Sequence, residues 1–142
     1  MNTFVMKQIL LAIFLFLMLT HARAQDCQLD KAFYYAEQAP QFNGSLKKYF
    51  VRQWKEKLSS MEGNDTVDIL IDAHGKTCFI STKGNLTGIT PYDIRYAVAN
   101  MPDWTPGLQN HFAINFRARL AMSCINGKFE LQYLNEKAPK VK

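Results

Sequence analysis

The chain has 142 residues, of which 48% are hydrophobic and 20% charged, and its formal net charge is +5. This length fits one domain with a sizeable core. The predicted export signal described below carries Lys7 and Arg23, and its removal leaves 15 basic against 12 acidic side chains. A net charge of +3 is too small to indicate nucleic-acid binding, so no nucleic-acid partner is expected.

The first 24 residues are typical of a signal peptide. Lys7 gives a positive start, 9–19 is an unbroken run of 11 apolar residues, and Ala22 and Ala24 form an Ala-x-Ala site before Gln25. An uncleaved anchor is the alternative, but a spanning helix needs roughly 20 apolar residues. The sequence therefore predicts cleavage after residue 24, a periplasmic or otherwise exported product, and no membrane span in the remainder.

Three cysteines, Cys27, Cys78 and Cys124, remain in the predicted mature chain. An exported chain permits a disulfide bond, and an odd count leaves one thiol over. The three pairings stay open at this point.

The mature chain divides into an N-terminal segment at 25–43, a folded domain at 44–134 and a flexible tail at 135–142. Apolar residues at helical spacing predict a short helix over 29–36. Ser45 is placed to cap a second, longer helix. The apolar face of that helix follows the i, i+3, i+4 pattern: Leu46, Tyr49, Phe50, Trp54, Leu58 and Met61.

A hairpin and a third helix come next. Alternating residues predict strands over 67–71 and 77–81, joined by a tight loop at 72–76. Thr90, Pro91 and Asp93 form a capping box with proline at the first helical position. The helix that they begin has an apolar stripe and is stopped by Pro102.

The clearest strand pattern in the chain runs over 112–124, where apolar residues occupy every second position. Asn126 and Gly127 then predict a two-residue hairpin turn, with a short last strand through Phe129, Leu131 and Tyr133. Two amphipathic helices and one sheet bury each other's apolar faces in two layers. The predicted fold is α+β, with an antiparallel sheet of three to four strands and two helices on one face.

Few residues in this sequence indicate a catalytic or metal-binding site. His74 and Asp72 are ordinary turn residues, and no pair of histidines has the spacing of metal ligands. A thiol paired with His111 is conceivable, but strand cysteines are more often buried and inert. No catalytic residue, cofactor or metal is expected. Trp104, between two prolines, either anchors a ligand or plugs the end of the core, and the plug is favoured.

Three segments of the chain resemble the C-terminal domain of TonB, the periplasmic energy transducer of bacteria. The segment 37–44 (EQAPQFNG) resembles the family's entry motif, and 67–76 resembles its first strand with an Asp-x-x-Gly turn. The segment 100–107 (NMPDWTPG), followed by an alternating strand, resembles the most specific signature. The resemblance covers about 37–125 and implies a helix-strand-strand-helix-strand fold.

The resemblance also implies a function. The last family strand offers its edge to an extended segment of an outer-membrane receptor, by strand addition. In this chain that edge is the backbone of 111–123, and the expected partner-binding residues are His111, Ala113, Asn115, Arg117, Arg119 and Trp104. The expected partner is a TonB-dependent receptor or another envelope protein, and dimerisation through the same edge is the rival use. A stand-alone envelope protein of this fold and a small thiol or metal enzyme are further alternatives.

The chain differs from the family pattern. A cleavable signal takes the place of the membrane anchor, a long Pro-rich spacer is missing, Asn43 replaces the motif's second proline and Ser45 its second glycine. The hairpin at Asn126 and Gly127 adds a strand. If 128–134 pairs with the long strand, the sequence predicts that the domain caps its own binding edge.

Overall fold

The computed structural model describes Cys27 and residues 29–134. The predicted signal peptide at 1–24 and the predicted tail at 135–142 lie outside the described residues. The helices and strands, in chain order, are α1 (Leu46–Gln53), β1 (Gly63–Ile71), β2 (Thr77–Gly84), α2 (Pro91–Ala99), β3 (Gly107–Gln109), β4 (Phe112–Ile114), β5 (Phe116–Ile125) and β6 (Lys128–Leu134).

Four strands form one antiparallel sheet in the order β2-β1-β5-β6. β1 and β5 are the central strands, and β2 and β6 are the outer ones. Together with the two helices this is the α+β fold that the sequence predicts. None of the helices in the described part of the chain is long and apolar enough to cross a membrane.

The two helices pack against one face of the sheet, which we call the helix face. β5 contributes Phe116, Ala118, Leu120, Met122 and Cys124 to it, all buried. The helices contribute the buried side chains Tyr49, Phe50, Ile94, Ala97 and Val98. The opposite face, which carries the alternate residues of β1 and β5, is called the open face. The alternation predicted for the long strand is therefore confirmed over 116–124, since it separates these two faces.

Both predicted helix starts are confirmed. The Ser45 side chain accepts a hydrogen bond from Lys48 N, and Thr90 and Asp93 form the complete capping box. Two helix lengths were predicted wrongly. The helix after Ser45 ends at Gln53, with a separate 3₁₀ turn at Leu58–Ser60, and the predicted helix at 29–36 is only a 3₁₀ turn at Leu29–Lys31.

The predicted continuous strand at 112–124 is wrong, because the chain breaks at Asn115. Asn110 and His111 both adopt positive φ, 49° and 66°, and close a tight turn between β3 and β4 in a separate two-stranded sheet. Asn115 lies between β4 and β5, and its Oδ1 accepts a hydrogen bond from Ala73 N at 3.0 Å. Phe112 consequently lies outside the core, with 75% of its surface exposed.

The hairpin between β5 and β6 forms at the predicted turn. Asn126 and Gly127 have φ of 52° and 73°, the conformation that a two-residue type I′ turn requires. Seven residue pairs follow without a register shift, from Ile125 and Lys128 to Arg119 and Leu134. β6 is thereby fixed along most of β5.

The N-terminal segment crosses the open face of the sheet. Cys27 forms a disulfide bond with Cys78 of β2, and Phe33 pairs with Phe116 of β5. Leu70 lies on the open face between these two attachment points and is only 3% exposed. Of the three pairings that the sequence leaves open, Cys27 with Cys78 is the one formed, and Cys124 is free and buried.

Candidate partner-binding edge

The predicted partner-binding residues do not lie on one surface. His111 and Ala113 are exposed in the β3-β4 hairpin, and Asn115 lies in the link to β5. Arg117 and Arg119 lie on the open face, and Trp104 is buried, with 3% of its surface exposed. Four separate parts of the fold therefore hold the six residues.

The backbone edge predicted at 111–123 is not open, which corrects the expectation from the sequence. β1 pairs with β5 along nearly its whole length. On the other flank, β6 pairs with 119–125, and Phe33 accepts from Arg117 N and donates to Asn115 O, each at 2.8 Å. Both flanks of β5 are occupied because the hairpin folds β6 back and the disulfide-tied segment fills the remainder. The self-capping pairing predicted for 128–134 is confirmed, whereas its role in binding stays a prediction.

The two arginines of the predicted site bind within the molecule. Arg119 Nε lies 2.8 Å from Asp68 Oδ1, and Arg117 Nη2 lies 3.3 Å from Asp68 Oδ2. The pKa of Asp68 lies below its usual value despite partial burial. The largest cause is the hydrogen bond from Arg119, and the positive charges of both arginines and the hydrogen bond from Arg117 lower the pKa further. Arg117 Nη1 also donates to Tyr34 Oη at 2.8 Å and lies over its ring. The cluster thus fastens the N-terminal segment to the sheet.

Trp104 is part of the core, as the plug interpretation of the sequence predicts. Its ring packs edge-on against Phe42 and lies 5.7 Å from the ring of Tyr133. Its backbone N donates to Gly75 O at 2.9 Å. Gly75 has φ of +80°, and a Cβ there would collide with the carbonyl oxygen of Trp104. The loop of the first hairpin therefore fixes the position of this ring.

β2 is one of the two outer strands, and its free flank is interrupted. Its register with β1 shifts between Asp68 and Ile69, a bulge of the kind that protects sheet edges. The sulfur of Cys27 lies 3.2 Å from the carbonyl oxygen of Phe79. A disulfide-bonded sulfur has no hydrogen to donate, so this is a packing contact that covers an outward acceptor. β2 presents a short and irregular edge.

β6 is the other outer strand, and its free flank is regular. A two-residue turn makes Ile125 and Lys128 a hydrogen-bonded pair, and such pairs alternate along an antiparallel ladder. The backbone N–H and C=O groups of Phe129, Leu131 and Tyr133 therefore point away from β5. No backbone group within 29–134 pairs with them. Three consecutive outward positions are thus available to an incoming strand.

A groove of about 880 Å³ adjoins the carboxyl end of β6. Tyr133 belongs both to the groove and to the outward set on β6. Burial raises the pKa of Tyr133 to about 12, and its hydroxyl has no hydrogen-bond partner among the described residues, nor does Trp104 Nε1. The walls are mostly apolar rings and the 38–42 segment: Gln38, Ala39, Pro40, Gln41, Phe42, Leu46, Trp104, Thr105, Pro106, Leu108 and Tyr133.

The pairing of a cysteine thiol with His111, considered from the sequence, does not form in this fold. Cys78 is bonded to Cys27, and burial raises the pKa of the Cys124 thiol. His111 precedes the start of β5 while Cys124 lies near its end, and the eight residue-to-residue steps from Phe116 to Cys124 cover about 26 Å. In the part of the chain that the structure describes, no group of three or more potential ligand side chains is placed to hold a metal ion.

No family model, curated protein or solved structure gives a significant match to this chain. The resemblance to the TonB C-terminal domain therefore depends on the quoted segments alone.

Proposed function

We propose that the protein is an exported, non-catalytic binding module that recognises an extended segment of a partner protein by strand addition to the outer flank of β6. The observation that carries this proposal is the row of outward backbone groups at Phe129, Leu131 and Tyr133, on a strand with no register shift. In this mode of recognition, main-chain hydrogen bonds supply affinity and neighbouring pockets supply specificity.

The groove beside Tyr133 supplies such a pocket. Each main-chain hydrogen bond contributes about 0.5–1.5 kcal/mol net, and ordering an extended segment costs a comparable amount per residue. Main-chain pairing with three outward residues is therefore weak by itself. An apolar side chain of the partner, seated against Phe42, Trp104 and Tyr133, adds about 1.5–3 kcal/mol if it is fully buried.

The TonB-like pattern suggests what kind of partner this is. The helix-strand-strand-helix-strand order that the resemblance implies is compatible with α1, β1, β2, α2 and β5, to which this chain adds the β3-β4 hairpin before β5 and β6 after it. We therefore propose a segment of an outer-membrane, TonB-dependent receptor as the partner, with export directed by residues 1–24. The added strand binds β6 rather than β5. A stand-alone envelope protein with a different partner is the second candidate.

Binding of a labelled strand peptide tests the proposal. The probe is a fluorescein-labelled heptapeptide of alternating valine and threonine, and the readout is fluorescence anisotropy. Leu131→Pro removes an outward N–H without removing a bond to β5, so we expect saturable binding to be lost. Leu131→Ala is the matched control, since it loses the same side chain and keeps the N–H. It should bind within a fewfold of the wild type.

A second measurement keeps the test independent of whether the proline variant folds. Methylating alternate amides of the peptide removes the ladder bonds on one side of it only. One of the two alternate sets should abolish binding to the wild-type protein, and the other should not. Equal binding of both methylated peptides, or no saturable binding of the unmodified peptide, contradicts strand addition.

A further inference from the structure

One ion pair passes around the outer flank of β6. Lys47 belongs to α1, on the helix face, and its Nζ lies 2.7 Å from Glu130 Oε2. Glu130 pairs with Ser123, one residue away from the buried pair Cys124 and Phe129, so its side chain belongs to the open face. Because β5 closes the inner side of β6, a link between the two faces runs outside the strand. Lys47 and Glu130 therefore lie across the edge that an added strand needs.

Lysines outnumber carboxylates in the ion pairs of this edge. Lys47 and Lys128 both lie within ion-pair distance of Glu130, with Nζ to carboxylate oxygen distances of 2.7 and 3.4 Å. Within the described residues, neither lysine has an ion pair with a second carboxylate. The edge thus combines outward backbone groups with a surplus of ammonium groups.

We infer that the β6 edge selects an extended segment that carries a carboxylate, and that this carboxylate replaces Glu130 as the partner of Lys47. The inference rests on the proposed strand addition and names the chemistry of the segment that is added. Charge complementarity favours such a segment over a neutral one.

The exchange is energetically accessible. The side chains of Lys47 and Glu130 are 44% and 50% exposed, and ion pairs of this exposure contribute little to stability because water and salt screen them. Opening the pair therefore costs little, and an incoming carboxylate restores the contact that is lost. An incoming neutral segment must leave Lys47 displaced and without a carboxylate, which makes its binding weaker.

Two other occupants fit the charge less well. A second copy paired through β6 brings two lysines, Lys47 and Lys128, and one carboxylate, Glu130, from each side to the new seam, and this excess of positive charge is unfavourable. The eight residues after Leu134 contain three lysines and one glutamate, so they also add positive charge. An acidic partner segment is the occupant that the edge favours.

A glutamate scan of the peptide tests the inference. Seven labelled valine-threonine peptides each carry one glutamate, at successive positions, and each is compared with its glutamine counterpart. We expect at least one position at which glutamate strengthens binding about two- to fivefold over glutamine, the range of an exposed ion pair. The preference should shrink as salt is raised, because exposed charges are screened.

Variants of Lys47, Lys48 and Glu130 identify which side chain causes the preference for glutamate peptides. Lys47→Gln should abolish the preference for glutamate and leave binding of the glutamine peptide within twofold. Lys48→Gln removes the same charge one residue away and should retain the preference. Glu130→Gln removes the internal competitor, so it should strengthen binding of the glutamate peptide about two- to fivefold.

The outcomes separate this inference from the proposed function. Equal binding of every glutamate and glutamine pair, with the Leu131→Pro variant inactive, overturns the carboxylate exchange and leaves strand addition standing. A glutamate preference that survives in Lys47→Gln also overturns the exchange. Absence of saturable binding by any peptide overturns both proposals.

Discussion

The two outer strands of the sheet, β2 and β6, have the same kind of exposed flank but different neighbours. β2 carries a bulge and a disulfide bond to Cys27. β6 has a regular ladder and only the surface ion pair of Lys47 and Glu130 across it. Contacts from distant parts of the chain decide which edge is open, because an outer strand by itself always leaves backbone groups unpaired.

The covering of the two edges also differs in strength. A covalent bond holds Cys27 beside β2 in the oxidised protein. The exposed ion pair at β6 opens and closes at little cost, because water screens the attraction between its charges. β2 is thus covered by a covalent attachment under oxidising conditions and β6 by a reversible contact, which is compatible with the strand addition proposed for β6.

Removing the disulfide bond should uncover β2 and has the largest expected effect on the unfolding free energy. The bond closes a loop with a sequence separation of 51, for which the chain-entropy model gives about 4 kcal/mol. We expect Cys27→Ser combined with Cys78→Ser to lower the unfolding free energy by about 2–4 kcal/mol in urea denaturation. The N-terminal segment should then leave the open face, which exposes Leu70 and the flank of β2.

Reductant supplies the control for this prediction. Wild-type protein in dithiothreitol should match the double variant, and Cys124→Ala should respond to reductant as the wild type does. Equal urea midpoints for oxidised and reduced wild-type protein would mean that the bond does not hold the segment.

Asp68 links the same segment to the centre of the sheet and should have the next largest effect. Asp68→Asn removes the charge shared by Arg117 and Arg119, and we expect a loss of about 1–2 kcal/mol in unfolding free energy. Because the pKa of Asp68 is lowered in the folded state, its contribution is complete above the unfolded carboxyl pKa of about 3.9 and is lost as pH falls through the folded pKa.

The pH dependence gives this prediction its own measurement. The difference in unfolding free energy between wild type and Asp68→Asn should be constant from about pH 5 to 7 and shrink below about pH 4. A difference that is unchanged at low pH would show that the carboxylate does not interact with the arginines as described.

Opening the ion pair at β6 should have the smallest effect on stability of the three changes. It tests whether the covering of β6 is weaker than the covering of β2. Glu130→Gln should leave the urea midpoint nearly unchanged, since both partners are about half exposed and water screens their attraction. A clear fall in the midpoint would mean that the pair is structural rather than a reversible cover.

Local sequence rules predicted much of the fold. Ser45, the capping box of Thr90 and Asp93, and the turn at Asn126 and Gly127 are all where the sequence places them, because each depends on neighbouring residues only. The alternation over 116–124 similarly identified the central strand and its buried face.

The rest depended on contacts between residues distant in sequence. The break at Asn115 was missed because Ala73 and Phe33 hold that residue, and neither is near it in the chain. The disulfide partner of Cys27 was undetermined for the same reason. Lys47 and Glu130 are 83 residues apart, so the helix pattern and the strand pattern gave no sign of the pair. The alternation in 128–134 was the sequence signal for the outer strand on which binding is proposed.

Amide hydrogen exchange, measured residue by residue with and without saturating glutamate peptide, tests strand addition at β6 most directly. If the peptide adds to β6, bound peptide slows exchange at Phe129, Leu131 and Tyr133 and leaves exchange at Thr77 and Phe79 unchanged. Slower exchange at Thr77 and Phe79, with no change at the three β6 amides, would contradict it.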